Sequence, residues 1–113
     1  MAYPHGAQHL LTSGISCVRI HGTSAEPVAR DGQLVMVSSE EDQKPSSDDL
    51  VVIEAKNGGG VNRVLFKRWH GWKGEWLLVG SINPTESAEP IHKRDFVRVR
   101  VILGVWMGSK RRR

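Results

Sequence analysis

Ser24 is the residue whose neighbours best suit it to nucleophilic chemistry. It lies in His21-Gly22-Thr23-Ser24-Ala25-Glu26-Pro27-Val28-Ala29-Arg30-Asp31-Gly32-Gln33-Leu34-Val35, which closes one apolar run and opens another. Gly22 has access to backbone angles closed to other residues, and Glu26-Pro27 sets a turn. The serine hydroxyl is therefore expected at a strand end, facing outward. A hydroxyl is a weak nucleophile until a base takes its proton. The candidate base is Lys67 in Arg63-Val64-Leu65-Phe66-Lys67-Arg68-Trp69, 43 residues further on. An amine works as a base only when neutral, and a free lysine titrates near about 10.4, so its pKa must fall by roughly three units to serve near neutral pH. Desolvation beside Leu65 and Trp69 is the expected cause. Plainer readings stand beside these: small polar residues fill many turns, and a lysine next to Arg68 also suits a solvated strand.

Short strands must carry both groups. Apolar runs at residues 15–21, 34–37, 50–55, 63–69, 75–79 and 96–107 read as strands, with Gly- or Pro-bearing turns or charged loops between most of them. In the first, Ile15 and Cys17 lie on one parity and Val18 and Ile20 on the other, which predicts a bulge near Cys17 or burial of both faces. A turn is expected at His70-Gly71, and Gly58-Gly59-Gly60 reads as a hairpin connection, since the lysine and helix of a phosphate loop do not follow it. No run of ten residues sustains helical periodicity. The chain is thus expected to be mainly β, a single domain of six or seven short, mostly antiparallel strands at residues 14–108. Residues 1–13 read as a flexible arm or linker remnant and residues 109–113 as a basic tail.

Composition excludes several functions. With 39% hydrophobic and 25% charged residues in 113, global disorder is not expected. The single cysteine, Cys17, makes no internal disulfide or metal cluster and suits a reducing cytoplasm. His5 and His9 are four apart, but Gly6 and the missing apolar face argue against a helical metal site, so no metal or cofactor is expected. No apolar run approaches about 18 residues, so no membrane span is expected. The net charge of +4 equals the contribution of Lys110, Arg111, Arg112 and Arg113, which makes the basicity a tail rather than a patch. Arg98 and Arg100 alternate with Val97, Val99 and Val101, an arrangement that suits a solvated outer face or, with the tail, contact with nucleic acid. Trp69, Trp72 and Trp76 are expected to cap one end of the core or form an interface.

The run from Val18 to Met107 resembles the carboxy-terminal domain of LexA, UmuD and phage repressors, a family of self-cleaving peptidases with a Ser-Lys dyad. The resemblance rests on a pattern close to V-x-G-x-S-M-x-P-x-x-x-D-G-x-L-V, into which Ile20, Gly22, Ser24, Pro27, Asp31, Gly32, Leu34 and Val35 fall. Phe66-Lys67-Arg68 matches the family's V-K-R-like step, and Asn83-Pro84, Pro90-Ile91 and Leu103-Gly104-Val105 match its later segments in order. The chain departs from the pattern in four respects. Ala25 stands where methionine is usual, Asp48-Asp49-Leu50 replaces G-D-I, the segment from Asn83 to Ile91 is longer and lacks a tyrosine, and the 43-residue spacing is a few residues long.

The resemblance implies a compact LexA-like or signal-peptidase-like fold, with Ser24 and Lys67 as catalytic residues and the backbone N–H groups of Thr23 and Ser24 as oxyanion donors. It implies self-cleavage of the protein's own linker, homodimerisation, stimulation by a recombinase filament on single-stranded DNA, and a repressor or damage-response role in the cytoplasm. DNA would be read by a separate domain, since no helix-turn-helix is present here. The chain contains neither Ala-Gly nor Cys-Gly, the bonds such proteins cut. Two expectations therefore stand together: a catalytic and dimerising fragment of a longer repressor, or a free-standing, non-catalytic interaction module of the same fold.

Overall fold

The computed structural model describes residues 15–38 and 44–106. Seven strands form one sheet: β1 (Ile15–Arg19), β2 (Leu34–Ser38), β3 (Leu50–Lys56), β4 (Asn62–Lys73), β5 (Trp76–Ser81), β6 (Ile91–His92) and β7 (Phe96–Val105). Their spatial order is β1-β2-β7-β3-β4-β5-β6, and every neighbouring pair is antiparallel. No helix occurs among the described residues, and none is long and apolar enough to cross a membrane. The expected mainly β, mostly antiparallel architecture is what the chain adopts. The expected arm at residues 1–13, with His5 and His9, and the basic tail at residues 109–113 lie outside the described residues.

Two apolar clusters lie on the two sides of the sheet. Ile20, Ala25, Ala29, Val35, Val37, Val52, Phe66 and Ile82 form the first. Val51, Ile53, Ala55, Trp69, Leu77, Val79 and Ile91 form the second. Alternation along β3 and β4 divides them, because successive strand side chains point to opposite faces. Val52 and Phe66, opposite one another, enter the first cluster, whereas Val51, Ile53, Leu65 and Trp69 face the second. Burying a side chain of this size contributes about 1.5–3 kcal/mol, so the clusters supply most of the drive to fold.

The mixed parity of β1 reflects burial of both faces, not a bulge. Its register with β2 runs unbroken from Ile15↔Ser38 to Arg19↔Leu34. Cys17 packs with Leu34, Met36 and Trp106, while Val18 packs against the first cluster on the other side.

The turn expected at His70-Gly71 is instead a bulge inside β4. Pairing with β5 shifts between Trp69 and Gly71, and the strand continues to Lys73. The reversal comes at Gly74-Glu75, where Gly74 takes φ 60°, in the left-handed region that suits glycine in a two-residue hairpin loop. The bulge separates the tryptophans. Trp69 is core, Trp72 meets Phe96 edge to face at 5.3 Å, and Trp76 meets His92 at 4.8 Å. Gly58-Gly59-Gly60 does form the β3–β4 connection, with Asn57 Oδ1 accepting from the N–H groups of Gly59 and Val61. On β7, Arg98 pairs with Glu54 at 3.0 Å and Arg100 donates to the Ser38 carbonyl, so both arginines are engaged within the sheet.

Candidate functional site

Ser24 sits in the connection between β1 and β2, a turn shaped first by local hydrogen bonds. Ladder-like bonds close its base: Ile20 N–H donates to Gln33 O and Gly32 N–H to Ile20 O, each at 2.8 Å. Gly22 takes φ 84°, and its N–H is held by Asp31 Oδ1 at 2.8 Å. Glu26 N–H donates to Thr23 O at 3.0 Å and Ala29 N–H to Ala25 O at 3.0 Å, winding the segment into consecutive turns across a cis Glu26-Pro27 bond. The methyl groups of Ala25 and Ala29 anchor these turns in the first cluster. Ala25, the position that departs from the resembled motif, is 1% exposed, so its small size is a feature of core packing.

Lys67 sits mid-strand on β4, half-buried, opposite Val51 of β3 and Ser81 of β5. It shares parity with Arg63 and Leu65, and the three line one wall of a cleft of about 250 Å³. Ser87, Glu89, Pro90 and Ile91 complete the lining. Pro90-Ile91, one of the segments that carried the sequence resemblance, thus comes against the candidate base.

The two candidate groups are linked through the chain that follows β5. Ser81 lies opposite Lys67, and two residues later Asn83 is bound to the serine turn. Asn83 N–H donates to Ser24 O at 3.2 Å, and Asn83 Nδ2 donates to Thr23 O at 2.8 Å. Asn83 Oδ1 in turn accepts from Thr85 N–H at 3.0 Å and Thr85 Oγ1 at 2.8 Å, and Ser81 Oγ donates to Asn83 O. Thr23 Oγ1 donates to Glu86 Oε2 at 2.5 Å. The segment 81–86 therefore ties the serine turn to the strand end beside Lys67.

The side chains are not joined. Among the described residues no hydrogen bond links Ser24 Oγ to Lys67 Nζ, and Ser24 does not line the Lys67 cleft. Phe66 faces the first cluster, to which Ala25 also belongs, so alternation turns the neighbouring Lys67 toward the Leu65 side. The backbone N–H groups of Thr23 and Ser24, the expected oxyanion donors, have no hydrogen-bond acceptor among the described residues.

Asn83 and Glu86 stand near the site without a role expected from the sequence. Asn83 was visible only as half of an Asn-Pro step, and its partner Thr23 lies 60 residues away. Its low exposure, 8%, is the structural signal, since a buried amide must find partners. Away from the site, burial pushes the Cys17 thiol pKa up. No cluster of three or more His, Cys, Asp or Glu side chains able to hold a metal occurs among the described residues.

Comparison with protein-family models, with curated proteins and with solved structures returns no match in any of the three.

Proposed function

We propose that this chain is a LexA-like Ser-Lys peptidase domain that cuts a linker of its own polypeptide, mediates dimerisation and thereby switches a repressor or damage-response regulator. One observation carries the reading. Asn83 holds the backbone of Thr23 and Ser24 while standing two residues from Ser81, the residue opposite Lys67. Further support comes from two junctions: Pro90 and Ile91 line the cleft that Lys67 lines, and Asn83 is bound to the serine turn.

In this reading neutral Lys67 takes the Ser24 hydroxyl proton as Oγ bonds to the carbonyl carbon of the scissile peptide. The oxyanion lies against the free N–H groups of Thr23 and Ser24. The C–N bond breaks, the departing amine receives the proton from Lys67, and water hydrolyses the resulting ester to restore Ser24. The mechanism requires no cofactor. The partners are a second copy of the chain, its own linker and a recombinase filament, with DNA bound through a separate domain.

The experiment supplies an Ala-Gly linker peptide, free or fused ahead of residue 1, and follows cleavage by mass spectrometry from neutral to alkaline pH. Cleavage abolished by Ser24→Ala and by Lys67→Ala is expected. Absence of cleavage by the native protein, or cleavage undiminished in either variant, contradicts the reading.

A second reading is a non-catalytic dimerisation or interaction module of the same fold. The unbonded Ser24 and Lys67 side chains, with Lys67 on the Leu65 side of β4, favour it. Concentration-dependent dimerisation in sedimentation, with no cleavage under any condition, distinguishes this case.

A further inference from the structure

We propose that Asn83 is a positioning residue that aims the backbone N–H of Ser24, and this role rests on the peptidase reading above. The argument starts from peptide geometry. In a planar trans peptide the C=O of one residue and the N–H of the next point in opposite directions. The cis bond in this turn is Glu26-Pro27, so the Thr23–Ser24 peptide is trans. Asn83 Nδ2 binds Thr23 O at 2.8 Å and thereby directs Ser24 N–H away from Asn83. Asn83 N–H binds Ser24 O at 3.2 Å and fixes the next peptide plane as well. One residue thus clamps the planes on both sides of the Ser24 α-carbon, which leaves the serine hydroxyl and its own N–H on a backbone that cannot rotate freely.

The clamp is itself held. Asn83 is buried, and its Oδ1 accepts from both the N–H and the hydroxyl of Thr85, which orients the amide so that Nδ2 faces Thr23. A flipped amide would set its oxygen against the Thr23 carbonyl and its nitrogen against the Thr85 N–H, losing both of those bonds at once. Thr23 O also accepts from Glu26 N–H, so the same carbonyl is fixed from within the turn and from outside it. An oxyanion donor works by being aimed before the reaction begins, and the clamp supplies that aim.

The test compares wild type with Asn83→Asp, which keeps the acceptor toward Thr85 but replaces the Nδ2 donor with an oxygen. Thr85→Val is a second variant that loosens the amide without touching Ser24. The readout is covalent labelling of Ser24 by a fluorophosphonate, resolved into the reversible binding constant and the maximal rate of reaction, below each protein's melting temperature. Asn83→Asp is expected to lower the maximal rate by roughly 10²–10³-fold, the scale of a lost oxyanion donor, with reversible binding unchanged. Thr85→Val is expected to lower it by about fivefold to tenfold. A purely structural role would lower the melting temperature while leaving the rate of the folded protein unchanged. Labelled wild type with an equally fast, folded Asn83→Asp overturns the positioning role alone; if that variant does not fold, an unchanged rate in Thr85→Val does the same. A wild type that takes no label overturns the peptidase reading and this role together.

Discussion

Lys67 and Ser81 stand opposite one another on β4 and β5, and Ser81 is the last residue of its strand. The chain leaving that strand end is the one that reaches the serine turn, through Ile82 in the first cluster and Asn83 at the Thr23 and Ser24 carbonyls. Any motion of the turn relative to β4 must break these contacts. The serine turn is therefore part of the sheet's end rather than an independent loop.

The fixity of that turn depends on Asp31. Its carboxylate holds the Gly22 N–H at 2.8 Å, and glycine at φ 84° has no side chain of its own to restrain it. Asp31→Ala is expected to cost about 1 kcal/mol, less than a buried hydrogen bond to a charged group because the pair is exposed. Thermal melting checks this, and amide exchange at Gly22 should rise with it.

Phe66 and Val64, on one face of β4, test how far along the strand the first cluster extends. Phe66 is 4% exposed in the first cluster, and Val64, two residues earlier on the same parity, is 50% exposed. Phe66→Ala is expected to cost about 3–5 kcal/mol and Val64→Ala less than about 0.5 kcal/mol. Denaturant unfolding of the two variants reads the difference directly. Equal losses would contradict the assignment of the core.

Cys17 gives a pH-dependent signature. Burial disfavours the thiolate and raises the pKa in the folded state. The sign follows: the contribution is neutral at pH values below the unfolded thiol's pKa. Above it the unfolded chain releases a proton that the folded chain retains, and stability falls as pH rises toward the folded value. Alkylation of Cys17 is therefore expected to be slow in the native protein at mildly alkaline pH and fast in denaturant, and Cys17→Ala should flatten the alkaline loss of stability. Rapid native alkylation would contradict the buried position.

Much of the sheet was legible because its apolar runs end at residues that break strands. Val51, Val52 and Ile53 follow a charged, Pro-bearing loop, and Gly58-Gly59-Gly60 marks the hairpin into β4. The bulge at Gly71 was not legible, since a glycine that shifts register reads locally like one that reverses the chain. Nor was β6, because Ile91 and His92 alone have no periodicity. At the site, local pattern pointed to Ser24 and Lys67 separately. The Asn83 clamp joins positions 60 residues apart through an amide, and nothing in the residues beside either end announces the other.

The proposed chemistry requires Ser24 to be a nucleophile served by Lys67. Its most direct measurement is fluorophosphonate labelling of the purified domain, with the modified residue identified by peptide mass spectrometry. Stoichiometric modification at Ser24 is expected, lost in Lys67→Ala while the variant remains folded by circular dichroism. Absence of label at Ser24, or label undiminished without Lys67, would contradict it.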